Sequence, residues 1–219
     1  MGPQRGLTKS SARIIGSSGG ASADSNRKLR FRLPLLSALR IFVHHPHRTI
    51  LFCMKKDIIL SDQDIRLRVR RIAYQIYESN LDEETVFVVG IANSGYRIAT
   101  LIADELEKIT PSRVRLVRLE VNKKDLYAPF EMDTDLTTMT GKPVVLVDDV
   151  LNSGTVLIHA VRHLLSVPLK KLNTAVLVDR NHKLYPVKVD FKGLSLSTSM
   201  HEHVDVVFEK DGSIHACLN

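Results

Sequence analysis

Residues 144–157 read VVLVDDVLNSGTVL: four apolar residues, two adjacent carboxylates, a short turn through Asn152, Ser153 and Gly154, then sequence of helical period. The run 144–147 is aliphatic and mostly β-branched, the composition of a strand covered on both faces in a parallel sheet. Asp148 and Asp149 are then expected where that strand runs out. In open α/β sheets ligands bind at the carboxyl ends of the strands, so two acids there are placed to reach a ligand. Ser153 and Gly154 open a helix expected over 155–165, with apolar residues at Val156, Leu157, Ala160, Val161, Leu164 and Leu165. The first turn of such a helix presents backbone N–H groups and the positive end of its dipole, a ready place for a phosphate. The acids suit sugar hydroxyls or a bound Mg²⁺, so the whole string predicts a site for a phosphorylated sugar. An ordinary strand end with a glycine turn is the competing reading.

Outward from this string the pattern is that of an α/β domain. Residues 57–60 read as a short strand, and Ser61 followed by Asp64 reads as a helix start with an acid in the first turn. The helix runs to about Ser79 and buries Ile65, Val69, Ile72, Ala73 and Ile76. Residues 86–91 form a second buried strand, ending in a loop of Ala92, Asn93, Ser94 and Gly95; 96–108 are helical, and 114–121 alternate as a strand. Later strands are expected at 173–178, 187–191, 204–209 and 213–218. Strands alternating with helices imply a largely parallel central sheet flanked by helices, with a β-rich carboxyl-terminal hood over it. Residues 122–141 show no firm period, and a stretch of that length inside a domain suggests a mobile cover carrying Lys123, Lys124 and Tyr127. Glu131, Asp133 and Asp135 make its second half acidic.

Composition narrows the classes. With 219 residues, 44% hydrophobic and 25% charged, there is apolar material for one domain with a sizeable core. The two cysteines, Cys53 and Cys217, offer neither a metal spacing nor a disulfide framework, which fits a reducing, cytoplasmic setting. No apolar run reaches the length of a membrane span. Residues 1–53 hold nine of the 31 Lys and Arg but one of the 24 acids, leaving 22 basic against 23 acidic residues and a net charge of −1 for 54–219. That first segment is basic and of low complexity, rich in Ser and Gly at 16–25. It reads as a disordered extension, as a transit peptide, or as sequence outside a protein whose translation begins at Met54. The last is preferred because the regular pattern starts at Lys55, which sets a domain over 54–219.

The string 144–157 resembles the phosphoribosyl diphosphate (PRPP) motif of type I phosphoribosyltransferases, a hydrophobic strand followed by two acids and a Thr/Ser-Gly loop. The resemblance implies that Asp148 and Asp149 take the catalytic place against the ribose hydroxyls and hold Mg²⁺ indirectly, through ribose or water. It implies that Asn152, Ser153, Gly154, Thr155 and Val156 bind the 5′-phosphate. By the same resemblance Asn93, Ser94 and Gly95 bind the pyrophosphate of PRPP; many members carry Lys or Arg at the place of Ser94, for which Arg97 or Mg²⁺ would substitute. Taken alone, this loop reads equally as an ordinary turn.

Residues 178–187, VDRNHKLYPV, are followed by Asp190, Phe191 and Gly193 and then by Leu196, Ser197, Thr198 and Ser199. This is similar to the pyrimidine operon attenuator family with uracil phosphoribosyltransferase activity, over nearly all of 55–219. The similarity implies Asp179 and Arg180 near the edge of a nucleobase and Phe191 stacked on its face. Without it, Asp179 and Arg180 read as a surface ion pair and Phe191 as core. Three positions depart from the family pattern. Asn152 stands where purine-specific members have an Asp often treated as a general base, and an amide cannot accept that proton. Thr155 and Val156 replace an Arg-Thr or Lys-Thr pair, and Asn181 replaces a Gly.

The function expected from the resemblance is Mg²⁺-dependent transfer of a phosphoribosyl group from PRPP to a nucleobase, with uracil favoured, in a homo-oligomer that is a dimer or higher. The alternative is a nucleotide-responsive RNA-binding regulator of pyrimidine genes with weak or no catalysis. RNA is the less favoured partner on composition, because a domain of net −1 offers no basic surface and Arg66, Arg68, Arg70 and Arg71 read as the solvated side of a helix.

Overall fold

The run 144–147 lies wholly inside β5 (Pro143–Leu151), the strand at the middle of a six-stranded sheet. The computed structural model describes residues 57–122, 125–197 and 202–219; the expected boundary at Met54 and the segment before it lie outside them. The sheet order is β4-β3-β2-β5-β6-β7, with β2 at Thr85–Ile91, β3 at Arg113–Glu120, β4 at Glu131–Met132, β6 at Lys171–Asp179 and β7 at Phe191–Ser195. All neighbours are parallel except the short β3–β4 pair.

The strand period of two splits the core into halves. Val145 and Val147 join Val86, Val88, Ala175 and Leu177 beneath α1 (Asp62–Glu78) and α2 (Ser94–Glu107). Val144 and Leu146 join Phe87, Val89 and Val176 against Leu157, Ala160 and Leu164 of α3 (Thr155–Leu164). Both faces are covered, which is why the run carries no polar alternation. Each such fully buried Val, Leu or Ile side chain contributes about 1.5–3 kcal/mol.

Helix α1 starts as its sequence dictates. The Asp64 N–H donates to the Ser61 hydroxyl at 3.2 Å and the Ser61 N–H donates to the Asp64 carboxylate at 3.1 Å, a reciprocal cap that satisfies two backbone donors. Its buried residues are the five expected from the pattern. Helix α2 begins two residues earlier than expected, at Ser94, so Ser94 and Gly95 form its first turn. It lies so close to β2 that a Cβ added at Gly90 would stand 2.5 Å from the Tyr96 Cα.

Three antiparallel strands form a second sheet in the order β1-β9-β8: β1 (Asp57–Leu60), β8 (Val204–Phe208) and β9 (Ile214–Leu218). The hood is therefore built from both ends of the described chain, because β1 pairs with β9 and stays out of the central sheet. The Ile214 N–H donates to Asp62 at 3.1 Å, tying this sheet to the start of α1.

Two expectations change. Of the strand expected at 187–191, residues 187–190 are not strand; Val187 and Val189 are buried on the α3 side and β7 begins only at Phe191. Their alternation reflects packing, and the Asp190 carboxylate accepts the Thr174 N–H at 3.0 Å. The stretch 122–141 is also less plain than its composition suggests. Beyond Lys123 and Lys124, which lie outside the described residues, it holds β4, a short 3-10 helix at Leu136–Met139, and buried Phe130 and Met139. Its acids serve the backbone: Asp133 accepts the Arg118 N–H at 3.1 Å, and Asp135 caps the 3-10 helix through the Thr137 N–H at 2.9 Å. Among the described residues no helix is long and apolar enough to cross a membrane.

Candidate functional site

The chain leaves β2 through α2 toward β3 and leaves β5 through α3 toward β6, so the strand order reverses between β2 and β5. A crevice opens at such a reversal, outside the carboxyl ends of the two strands. The β2–β5 pairing ends at Gly90 opposite Val147. Strand β5 continues beyond this point, paired only with β6: Asp148 with Val176, Val150 with Val178, Leu151 with Asp179. Asp148 and Asp149 thus lie inside β5 rather than past its end, because β6 goes on supplying ladder partners after β2 has turned away.

The two loops meet here. A Cβ at Gly95 would stand 2.9 Å from Asp148 Oδ1, 3.1 Å from Asp148 Cα and 3.2 Å from the Val147 carbonyl oxygen, so only glycine lets the first turn of α2 rest on that strand end. Asn93 precedes α2 and is exposed, Ser94 is half-buried, and the Ala92–Asn93 peptide bond is cis.

Both acids are half-buried. Asp148 Oδ1 accepts the Asp149 N–H and Asp149 Oδ1 accepts the Val150 N–H, each at 2.9 Å. The loop then turns through Gly154 at a φ of 78°, a left-handed conformation suited to glycine, into α3. The Ser153 and Thr155 hydroxyls are 2.8 Å apart, and the Thr155 N–H donates to Ser153 at 3.3 Å. Asp148, Asp149, Asn152, Ser153, Gly154, Thr155 and Val156 line one cavity of about 310 Å³, closed on another side by Val204 and Asp205 of β8. Sequence reading missed those last two. They belong to a strand whose Val204 and Val206 alternation signalled a ladder but nothing of where that ladder lies.

A wider groove of about 500 Å³ runs between α1 and α2. It is lined by the carboxyl-terminal half of α2, the end away from Gly95. Its charges answer one another: Arg66 pairs with Asp62 at 2.7 Å, and Arg70 and Lys108 pair with Glu105 at 3.1 and 2.6 Å. The smaller cavity at the strand ends is the one with chemistry to offer.

The three residues assigned to a base part company. Asp179 is buried and faces Lys192 at 3.2 Å and Lys183 at 3.6 Å. Arg180 is buried too, and its guanidinium donates to Asn152 Oδ1 at 2.8 Å and to the Glu202 backbone carbonyl. Neither arrangement is a surface ion pair between neighbours. Phe191 stands opposite Ala175, four positions short of Ser195 at the far end of β7, and packs on the α1-side core without lining the cavity. Arg97 lies over the Phe208 ring of β8 at 3.9 Å. Tyr127 sits edge-on to His159 of α3, with ring centroids 5.1 Å apart. Thr198 and Ser199 lie outside the described residues.

Among the described residues no three His, Cys, Asp or Glu side chains converge as a metal cage. The two carboxylates are oxygen ligands of the kind that serve a Mg²⁺ carried mainly by water and a ligand's phosphates, which needs one or two protein acids.

Residues 56–209 match the model of the phosphoribosyl transferase domain family. The chain is 33% identical over 165 residues to the bifunctional protein PyrR of Streptococcus equi subsp. zooepidemicus, covering 73% of this chain and 94% of that one. Identity to the bifunctional protein PyrR of Streptococcus thermophilus is also 33%, over 163 residues with the same coverage. Among solved structures, the hypoxanthine phosphoribosyltransferase of Trypanosoma cruzi superposes with a TM-score of 0.59 at 16% identity, covering 73% of this chain and 95% of that one. A hypoxanthine-guanine phosphoribosyltransferase from Bacillus anthracis gives 0.55 at 19%, covering 64% and 82%. At such identities the solved structures speak for the fold alone. The family match spans most of the chain and the PyrR proteins align along nearly their whole length, and on those grounds this chain belongs to the phosphoribosyl transferase domain family.

Proposed function

We propose that the chain binds phosphoribosyl ligands in the cavity at the ends of β2 and β5, and that it is a nucleotide-responsive regulator of pyrimidine genes, acting on RNA and retaining weak transfer of a phosphoribosyl group from PRPP to uracil. The observation that carries the reading is the division of that cavity. Two carboxylates form one wall, and a left-handed glycine opening a helix forms the next, giving separate places for hydroxyls and for a phosphate. The bifunctional name of the curated relatives supports two roles on one fold.

In this reading Asp148 and Asp149 orient the ribose hydroxyls, residues 152–156 hold the 5′-phosphate, and residues 93–95 face the pyrophosphate. A Mg²⁺ arriving with PRPP would be held by the two acids through water or ribose, and would neutralise charge on the pyrophosphate. Transfer breaks the bond from the anomeric carbon to the pyrophosphate oxygen and forms one to a uracil nitrogen, whose proton goes to solvent. Pyrophosphate leaves. Asn152 cannot take that proton, and Thr155 and Val156 bring no cation to the phosphate, so slow turnover is expected.

Transfer as the main role is the second reading, favoured by the pair of acids kept half-buried at the cavity. A product assay with PRPP, Mg²⁺ and a panel of uracil, hypoxanthine, guanine, xanthine and orotate, beside titration of leader RNA with and without UMP on protein beginning at Met54, separates the two. UMP-dependent RNA binding with slow uracil conversion is expected. Rapid conversion without RNA binding supports transfer as the main role, and failure to bind either PRPP or UMP overturns both.

A further inference from the structure

Arg180, just past the end of β6, is 2% exposed, and its polar atoms reach two segments, 151–152 and Glu202. Its N–H donates to the Leu151 carbonyl at 3.0 Å, one guanidinium nitrogen donates to Asn152 Oδ1 at 2.8 Å, and the other donates to the Glu202 carbonyl. Asn152 belongs to the loop wall of the carboxylate cavity. Glu202 lies two residues before Val204, which with Asp205 forms the wall on the hood side.

We propose that Arg180 is a positioning residue that fixes the separation of these two walls, with Asn152 as its required partner. A guanidinium is a rigid fork of N–H donors, so one side chain serves acceptors in two set directions. Losing either acceptor would take a hydrogen bond from a buried guanidinium, a cost that resists rotation away from the pair. Arginine has no acceptor, so the amide of Asn152 must present its oxygen. The asparagine that departs from the acid of purine-specific relatives thereby acquires a role of its own. It is a neutral acceptor that joins the loop to the hood while adding no negative charge beside a phosphate. The width of the cavity, and with it the affinity for a phosphoribosyl ligand, then depends on a residue that need not touch the ligand.

The affinity part rests on the proposed function; the joining of the walls does not. Hydrogen exchange is measured first on the unmodified protein, Arg180→Met and Asn152→Ala. Arg180→Met is expected to speed exchange at residues 153–156 and 203–205 together, whereas Asn152→Ala speeds it at 153–156. Calorimetry with PRPP and Mg²⁺, and with UMP, is expected to show about tenfold to a hundredfold weaker binding in Arg180→Met. The double variant should exchange at 153–156 no faster than Arg180→Met alone. Unchanged exchange at either wall in a folded Arg180→Met protein overturns the proposal, as do increases in exchange at 153–156 that simply add in the double variant. If Arg180→Met does not fold, Asn152→Ala decides, since unchanged exchange at 153–156 overturns the proposal. If the unmodified protein binds neither ligand, the proposed function fails, and exchange still decides whether Arg180 joins the walls.

Discussion

Asp149 uses one carboxylate oxygen on the Val150 N–H at 2.9 Å, a bond that an asparagine can reproduce with its side-chain carbonyl. Asp149→Asn should therefore leave the fold and melting temperature intact while removing the charge that the proposed function sets against ribose and metal. Uracil conversion is expected to fall about 10²- to 10³-fold, and unchanged conversion in that variant would remove Asp149 from the site. The glycines test a different point. Gly90→Ala would place a Cβ 2.5 Å from the Tyr96 backbone, and Gly95→Ala would place one 2.9 Å from Asp148 Oδ1. Both should cost about 1–3 kcal/mol in denaturant unfolding. The two differ at the site: Gly95→Ala should also weaken PRPP binding at temperatures where the variant is fully folded, because the oxygen that must move belongs to the carboxylate proposed to face ribose. Equal PRPP affinity in folded Gly95→Ala and unmodified protein would argue that the first turn of α2 has no part in the site.

At the scale of elements, sequence was most legible where one chemical demand had one structural answer. Ser61 and Asp64 announced the start of α1, and the aliphatic run before Asp148 announced a doubly covered strand. Legibility failed where one pattern serves two ends. Val187 and Val189 alternate like a strand yet only insert into the core, and the stretch 122–141, whose lack of period suggested a mobile cover, uses its acids at 131–135 to pair a short strand and cap a 3-10 helix. Local spacing also cannot show that β8 closes the cavity, since that contact depends on where the hood comes to rest. The stretch after β3 packs on α3, with Phe130 beside His163 at 5.4 Å between ring centroids. Burial first, and then the positive charge of Arg162, lowers the His163 pKa from the ordinary histidine value. The folded state thus favours the neutral ring. Its contribution to stability is present above the ordinary value, near ~6.5, and is lost as pH falls through the lowered folded one. His163→Phe keeps an aromatic packing partner and removes the titration. Urea midpoints of that variant should vary less with pH just below the ordinary histidine value than those of the unmodified protein; parallel curves would mean that the packing of this stretch on α3 is insensitive to the proton.

At the scale of the molecule, charge divides the chain sharply. The whole carries a formal net charge of +7, but with nine basic residues and one acid in 1–53, the part from Met54 onward has 22 basic against 23 acidic residues. The arginines of α1 do not restore a basic face. Arg66 pairs with Asp62, Arg68 lies 3.6 Å from Asp64, Arg70 pairs with Glu105, and Arg71 donates to the Lys192 and Gly193 carbonyls. Polyanion binding without sequence preference grows with the number of cations that displace counterions from phosphates, and such binding falls steeply with salt. The 219-residue chain should therefore bind arbitrary single-stranded RNA at low salt through residues 1–53 and release it as salt rises toward physiological strength. Protein beginning at Met54 should show no such binding. Any RNA affinity it retains should be selective for leader sequence and should respond to UMP, the behaviour that belongs to a nucleotide-reading domain rather than to a basic extension. Filter binding across a salt series, with leader and scrambled RNA against both proteins, makes the comparison. If protein beginning at Met54 binds scrambled RNA as tightly as the full chain does, the basic extension is not the source. A cationic surface on the folded domain, of which its composition gives no sign, would then be responsible.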